Sequence, residues 1–134
     1  MVAQALRVLL VDDDDGLREL LAVNFSLDDR FELIARAANG REGVELYQRL
    51  RPDAVLMDLH MPVLGGIQAT RRIVAADSSA CVIAFTASRD QDERDAAVRA
   101  GAAAVLTKPF DPLAFLDAFE AHARTCASRS ADAA

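Results

Sequence analysis

Residues 6–17 read LRVLLVDDDDGL: the apolar run VLLV stops at Asp12-Asp13, and helical periodicity begins within a few residues of the acids. The run is too short for a buried helix of ordinary length and is rich in Val and Leu, so it reads as a buried strand. Three later runs stop in the same way, VLM at Asp58, IAF at Thr86 and VL at Thr107-Lys108. An acid pair, a lone acid, a hydroxyl and an amine therefore sit in turn at strand carboxyl ends. In an open parallel sheet, ligands bind in the crevice beyond those ends. Four chemically matched breaks thus imply one shared phosphoryl site.

Working outward, Leu17, Leu20, Leu21 and Phe25 follow the spacing of one helical face, which packs the first helix back on the sheet. Phe31-Glu32-Leu33 alternates apolar and polar, as an edge strand does. Gly40 opens a second helix carrying Val44, Tyr47 and Leu50, and Arg51-Pro52 ends it because the residue before proline is driven from the helical region. The third strand is Asp53 to Met57, and Ile67, Thr70, Ile73 and Val74 mark a third helix. Val82 to Phe85 is the fourth strand, and Gly101 looks like the left-handed C-cap of a fourth helix. Asp111-Pro112 reads as an N-cap with proline at the first helical position, opening a last helix with Leu113, Leu116 and Phe119. The sum is an α/β chain of five strands and five helices, one domain over residues 1–124. Residues 125–134 (TCASRSADAA) are small and polar without periodicity and are expected to be a flexible tail.

At 134 residues there is room for one substantial core. The net charge of -6 and pI of about 4.8 oppose a phosphate-backbone partner, so no direct nucleic-acid binding is expected. Cys81 and Cys126 lack framework spacing and read as reduced thiols of a cytoplasmic protein. No basic leader precedes a long apolar segment, and no apolar run reaches about 18 residues, so no membrane association is expected.

Carboxylates crowded at one sheet edge repel by roughly 4 kcal/mol per pair at about 4 Å and an effective dielectric near 20. They require protons or a cation, and oxygen donors without Cys or a His pair favour a hard divalent ion such as Mg²⁺. Asp12 and Asp13 are the expected ligands; Asp58 is then suited to act as a nucleophile towards phosphorus. Lys108 offers a compact cation and Thr86 a rotatable hydroxyl for phosphoryl oxygens.

Through VLLVDDDD, VLMDLHMP with a following GG, FTAS and AGAAAVLTKPF, at matching order and spacing, residues 6–122 closely resemble the receiver domain of bacterial response regulators. The resemblance implies a flavodoxin-like (βα)5 three-layer sandwich with a parallel sheet in the order 2-1-3-4-5. It also implies a switch rather than an enzyme, in which a sensor histidine kinase or histidine phosphotransfer protein phosphorylates Asp58. By the same resemblance Mg²⁺, with Mn²⁺ as a substitute, is held by Asp12, Asp13, Asp58 and the backbone carbonyl of His60, while Thr86 and Lys108 contact the phosphoryl group. A cis Lys108-Pro109 bond and a downstream protein partner on the face of helix four, strand five and helix five are implied too; homodimerisation is left open.

The chain departs from the family pattern twice. Val63-Leu64-Gly65-Gly66 lacks the acid that often precedes the family's glycine, and Val105 stands where an aromatic switch residue is usual, three positions before Lys108. Signalling is therefore expected to rest on the segment from Thr86 to Asp90, with a weaker response at Val105. His60 and Ser88 occupy positions where the family tunes phosphoryl lifetime.

Blander readings exist for each residue alone. Asp14 and Asp15 suit a helix N-terminus, Asp58 a turn before Met61-Pro62, and Thr86 a helix cap. Val11 would occupy the first ligand position of a calcium loop, and neither His60 nor His122 has a partner at ligand spacing. Two competing functions remain. Asp13-Asp14-Asp15-Gly16-Leu17 faintly resembles the opening motif of haloacid-dehalogenase-like phosphatases, a reading that leaves Asp58 without a task. A pseudo-receiver, switching without phosphorylation, is the other.

Overall fold

The computed structural model describes residues 4–108 and 111–133. The chain alternates strand and helix: β1 (Leu6–Val11), α1 (Asp15–Ser26), β2 (Phe31–Ala37), α2 (Gly40–Leu50), β3 (Ala54–Asp58), α3 (Gly66–Ala76), β4 (Val82–Thr86), α4 (Gln91–Ala100), β5 (Ala104–Thr107) and α5 (Pro112–Ala133). All strand pairs are parallel, in the order β2-β1-β3-β4-β5. Both order and fold class agree with the expectation.

Alternation along each strand divides the apolar residues between two layers. Val8, Leu10, Leu56, Ile83 and Phe85 pack with Leu21 and Phe25 of α1 and with Phe115, Leu116 and Phe119 of α5. Leu9, Val11, Val55, Met57 and Val82 pack on the opposite face with Val44 and Tyr47 of α2 and Ala69 and Ile73 of α3. The central strands are buried on both faces, which explains their continuous apolar runs. β2 lies at the edge and is buried only at its ends.

Register sets the site. Val11 pairs with Met57, Asp58 with Phe85, and Thr86 with Thr107, so four strands finish along one edge. β3 and β4 each run one residue beyond the expected end, which makes Asp58 and Thr86 the last strand residues. Gly66 packs directly behind this edge; a Cβ there would lie 2.1 Å from the Asp58 carbonyl oxygen, so only glycine permits the approach.

Several local expectations are corrected. Leu20 and Leu113 face solvent, 50% and 65% exposed, because the buried stripes run through Leu21, Ala22 and Phe25 in α1 and through Phe115, Leu116 and Phe119 in α5. Arg51 leaves the right-handed region as its proline neighbour requires, but enters the left-handed one (φ 48°). Gly101 is the expected left-handed cap, with φ 118°. The segment read as a flexible tail continues α5 as helix through Ala133, where alanines favour helix and the Thr125 hydroxyl donates to the Ala121 carbonyl. That helix brings Cys126 over the first strand face, and Cys81 and Cys126, read as separate thiols, form a disulfide with Cα atoms 5.8 Å apart. The expected cis Lys108-Pro109 bond lies outside the described residues.

Candidate functional site

Asp12 and Asp58 are buried strand-end carboxylates, 0% and 3% exposed, whereas Asp13 faces solvent. One carboxylate oxygen from each of the three lies within 4.8 Å of the others. Each acid is held differently. Asp12 Oδ1 accepts the Asp14 N–H at 2.8 Å, and the Asp12 carbonyl accepts from Arg18 at 2.7 Å. Asp58 Oδ1 accepts the His60 N–H at 3.3 Å and the Lys108 ammonium at 3.2 Å. Lys108 Nζ also stands 3.6 Å from Asp12 Oδ2 and 4.1 Å from the centroid of the Phe85 ring. That ring supplies an apolar wall with favourable quadrupole for the cation.

One ammonium does not balance this charge. Asp58 is pushed up to about 6, first by burial and next by the neighbouring Asp12 charge, against which Lys108 acts. Burial likewise raises Asp12, opposed chiefly by its bond from Asp14. Asp12 Oδ2 is buried without a hydrogen-bond donor, the lysine being too distant for one. A buried unpaired oxygen beside two further carboxylates fits a hard cation such as Mg²⁺, which takes oxygen donors.

The outer aspartates have structural work. Asp14 is the N-cap of α1, its side chain accepting the Leu17 N–H at 3.0 Å, and Asp15 pairs with Arg18. Of the acids beyond Lys108, Asp117 and Glu120 meet Arg30 at 2.7 and 3.1 Å, tying α5 to the residue that precedes β2. Among the described residues they do not join the acid cluster, which is made of Asp12, Asp13 and Asp58, so the cluster includes the acid for which the haloacid-dehalogenase-like reading has no task.

Thr86 is fully buried, but its hydroxyl is directed to α4 rather than to the acids. Its Oγ1 accepts the Ser88 N–H at 3.0 Å and donates to Glu93 Oε1 at 3.3 Å. His60 Nε2 reaches the same Glu93 oxygen at 2.7 Å. The next residue, Arg94, donates to the carbonyls of Ser88 and Val105 at 3.2 and 3.3 Å and to the Thr107 hydroxyl at 3.0 Å. Sequence reasoning missed both Glu93 and Arg94. Glu93 follows the N-cap Asp90 by three positions, a spacing that reads as a capping box, so its sequence signal pointed to the helix end.

A family model for the response regulator receiver domain matches residues 8–120, and the chain belongs to that family, the receiver domains of two-component signalling. It is 41% identical to the chemotaxis protein CheY of Halobacterium salinarum over 85% of this chain and 93% of that protein. The chemotaxis protein CheY of Thermotoga maritima is 38% identical over 84% of this chain and 92% of its own length. Among solved structures, a CheX-CheY-BeF3-Mg²⁺ complex from Borrelia burgdorferi superposes with a TM-score of 0.78 at 30% identity, covering 84% of each chain. Among the described residues, no helix is long and apolar enough to cross a membrane.

Proposed function

We propose that this receiver domain is a phosphorylation-driven switch whose phosphoacceptor is Asp58. The observation that carries the reading is the buried cluster itself, Asp58 and Asp12 with Asp13 at its rim and Lys108 bonded to the acceptor. Asp58 stands above the ordinary carboxylate range yet is mainly ionised near neutral pH, so the nucleophilic form is available. Its free oxygen forms the new bond to phosphorus as the bond from phosphorus to the donor imidazole nitrogen breaks, and that nitrogen leaves with the electron pair. Lys108, already against Oδ1, neutralises charge that accumulates on the phosphoryl oxygens.

Asp12, Asp13, Asp58 and the His60 carbonyl would hold Mg²⁺, or Mn²⁺ in its place. When bound, the ion would offset the carboxylate repulsion and draw the incoming phosphoryl oxygens to the acceptor. Thr86 would donate its hydroxyl to a phosphoryl oxygen after leaving Glu93. The donor class is a cytoplasmic sensor histidine kinase or histidine phosphotransfer protein, and the domain itself catalyses only the gain and loss of its own phosphoryl group. The partner surface is the face of α4, β5 and α5, which borders the Thr86 segment.

Intact mass after incubation with Mg²⁺ and acetyl phosphate or phosphoramidate tests this reading. A labile single-phosphate gain, absent in Asp58→Asn, is expected. A native chain without an adduct, including with beryllofluoride, overturns it in favour of a phosphorylation-independent interaction domain.

A further inference from the structure

Glu93 is an acid that the phosphoryl chemistry does not use, yet its carboxylate is the point where three elements meet. It accepts from the Thr86 hydroxyl at the end of β4, lies 2.7 Å from His60 Nε2 in the loop after β3, and belongs to the first turn of α4. A threonine hydroxyl has one proton to donate. Donation to Glu93 and donation to a phosphoryl group on Asp58 therefore exclude one another. The Ser88 N–H already supplies the donor that Thr86 Oγ1 accepts, which leaves the hydroxyl proton as the only variable.

We infer that Glu93 is a latch: it holds Thr86 in the unphosphorylated domain, and its release from Thr86 is the event that frees the first turn of α4. The inference rests on the phosphoacceptor reading above and adds to it the residue that opposes activation. Electrostatics acts in the same direction as the proton count. A phosphoryl group on Asp58 adds roughly -1.5 to -2 charges by analogy with phosphoserine. This anion attracts the hydroxyl proton and repels the Glu93 carboxylate. At 3.3 Å the Thr86–Glu93 bond is longer than the roughly 2.5–3.0 Å usual between a hydroxyl donor and an oxygen acceptor, so the exchange is not opposed by a strong contact. Arg94 gives the motion a second consequence: from the same turn it binds the Ser88 and Val105 carbonyls and Thr107, so displacement of the turn reaches β5 without an aromatic ring at Val105.

The test compares native protein with Glu93→Ala, Glu93→Gln and the Thr86→Ala backgrounds of each. Beryllofluoride binding with Mg²⁺ is read by fluorine NMR, and opening of residues 86–94 by amide hydrogen exchange. Removing one modest hydrogen bond from the resting state is expected to tighten beryllofluoride binding roughly two- to tenfold in Glu93→Ala. The same variant should exchange amides at Ser88 and Asp90 faster before the anion is added. Glu93→Gln keeps an acceptor oxygen for Thr86 but loses the charge that the anion repels, so it should fall between native and Glu93→Ala, and in Thr86→Ala, where only that charge still acts, Glu93→Ala and Glu93→Gln should coincide. A merely structural role for Glu93 would weaken the anion's binding, the opposite direction, and would overturn the latch. So would unchanged affinity in Glu93→Ala while the native chain binds beryllofluoride normally. If the native chain itself forms no adduct, the phosphoacceptor reading fails and the latch falls with it.

Discussion

Replacing Asp58 by Asn should stabilise the domain in the absence of divalent ions while removing the proposed phosphoacceptor. Burial and the Asp12 charge raise Asp58 from 3.8 to about 6, and the residue is only 3% exposed. A rise of about two pH units corresponds to roughly 3 kcal/mol carried by the ionised carboxylate. Because the folded value lies above the unfolded one, the folded state binds the proton more tightly. The favourable contribution is complete below the unfolded value of 3.8 and is lost as pH rises through about 6. Asparagine has no such term. It resembles the protonated acid, which likewise offers Lys108 no charge.

The stabilities of native protein and Asp58→Asn, each from urea titration without divalent ions, should therefore nearly coincide at about pH 4 and separate to about 2–3 kcal/mol in favour of the variant at about pH 7.5. Taking the difference between the two proteins cancels titrating groups remote from Asp58, including Asp28 and Asp77, whose values are lowered by hydrogen bonds from Arg30 and Ser79 respectively, whereas Asp12, whose charge acts on Asp58, changes with the substitution and belongs to the measured gap. Saturating Mg²⁺ should then close the gap by stabilising native protein more than the variant, since an ion that binds only the folded state adds to its stability. A gap that does not change between the two pH values, or a variant less stable than native at the higher one, would refute the assignment of Asp58 as a buried, charge-opposed carboxylate.

Two further outcomes follow from backbone and covalent geometry. Val63 has φ 71°, a left-handed conformation that a β-branched residue tolerates poorly, on a loop tip where it is 73% exposed. Val63→Gly should raise stability by about 1 kcal/mol in thermal or urea unfolding, and a loss of that size would show that the side chain does unseen work. The Cys81–Cys126 bond closes a loop of sequence separation 45, for which the chain-entropy estimate is about 4 kcal/mol. Reductant should therefore lower the melting temperature of native protein and leave Cys126→Ala unaffected; equal melting curves for oxidised and reduced native protein would contradict it.

The parts of the fold legible in the sequence are those where a single physical demand acts. Central strands of a parallel sheet are buried on both faces, so VLLV and VLM carry no competing signal and their ends could be placed within a residue. Helical faces were less legible because apolar residues exceed what one face buries: Leu20 and Leu113 fit the spacing but lie outside the buried stripe. The Cys81–Cys126 contact was illegible, since it depends on where α5 crosses the start of β4 and neither residue has a local pattern. At the site, the acids, Thr86 and Lys108 announced themselves by interrupting strands. Glu93 could not, because an acid in the first turn of a helix already has an explanation in the helix dipole and cap.

That concealed position bears on how a receiver with valine at the usual aromatic position transmits a signal. Val105 pairs with Ala84 across the sheet, packs on the cluster of Leu59, Ala84, Ala97 and Ala102, and has no ring to exchange between buried and exposed positions. What crosses this region instead is Arg94, part-buried and bonded to the β4–α4 loop at Ser88 and to β5 at Val105 and Thr107. Hydrogen bonds from a charged donor contribute about 1.5–3 kcal/mol each. Three such contacts exceed the weak Thr86–Glu93 bond, so on the proposed latch a first turn of α4 released by Glu93 would move together with β5 rather than detach from it. Coupling through a guanidinium also differs in kind from coupling through a ring. It acts on two backbone carbonyls and the Thr107 hydroxyl, so substitution of Val105 by other aliphatic residues leaves it intact, whereas Arg94→Ala should uncouple β5 from the Thr86 segment while sparing phosphorylation at the proposed acceptor, Asp58.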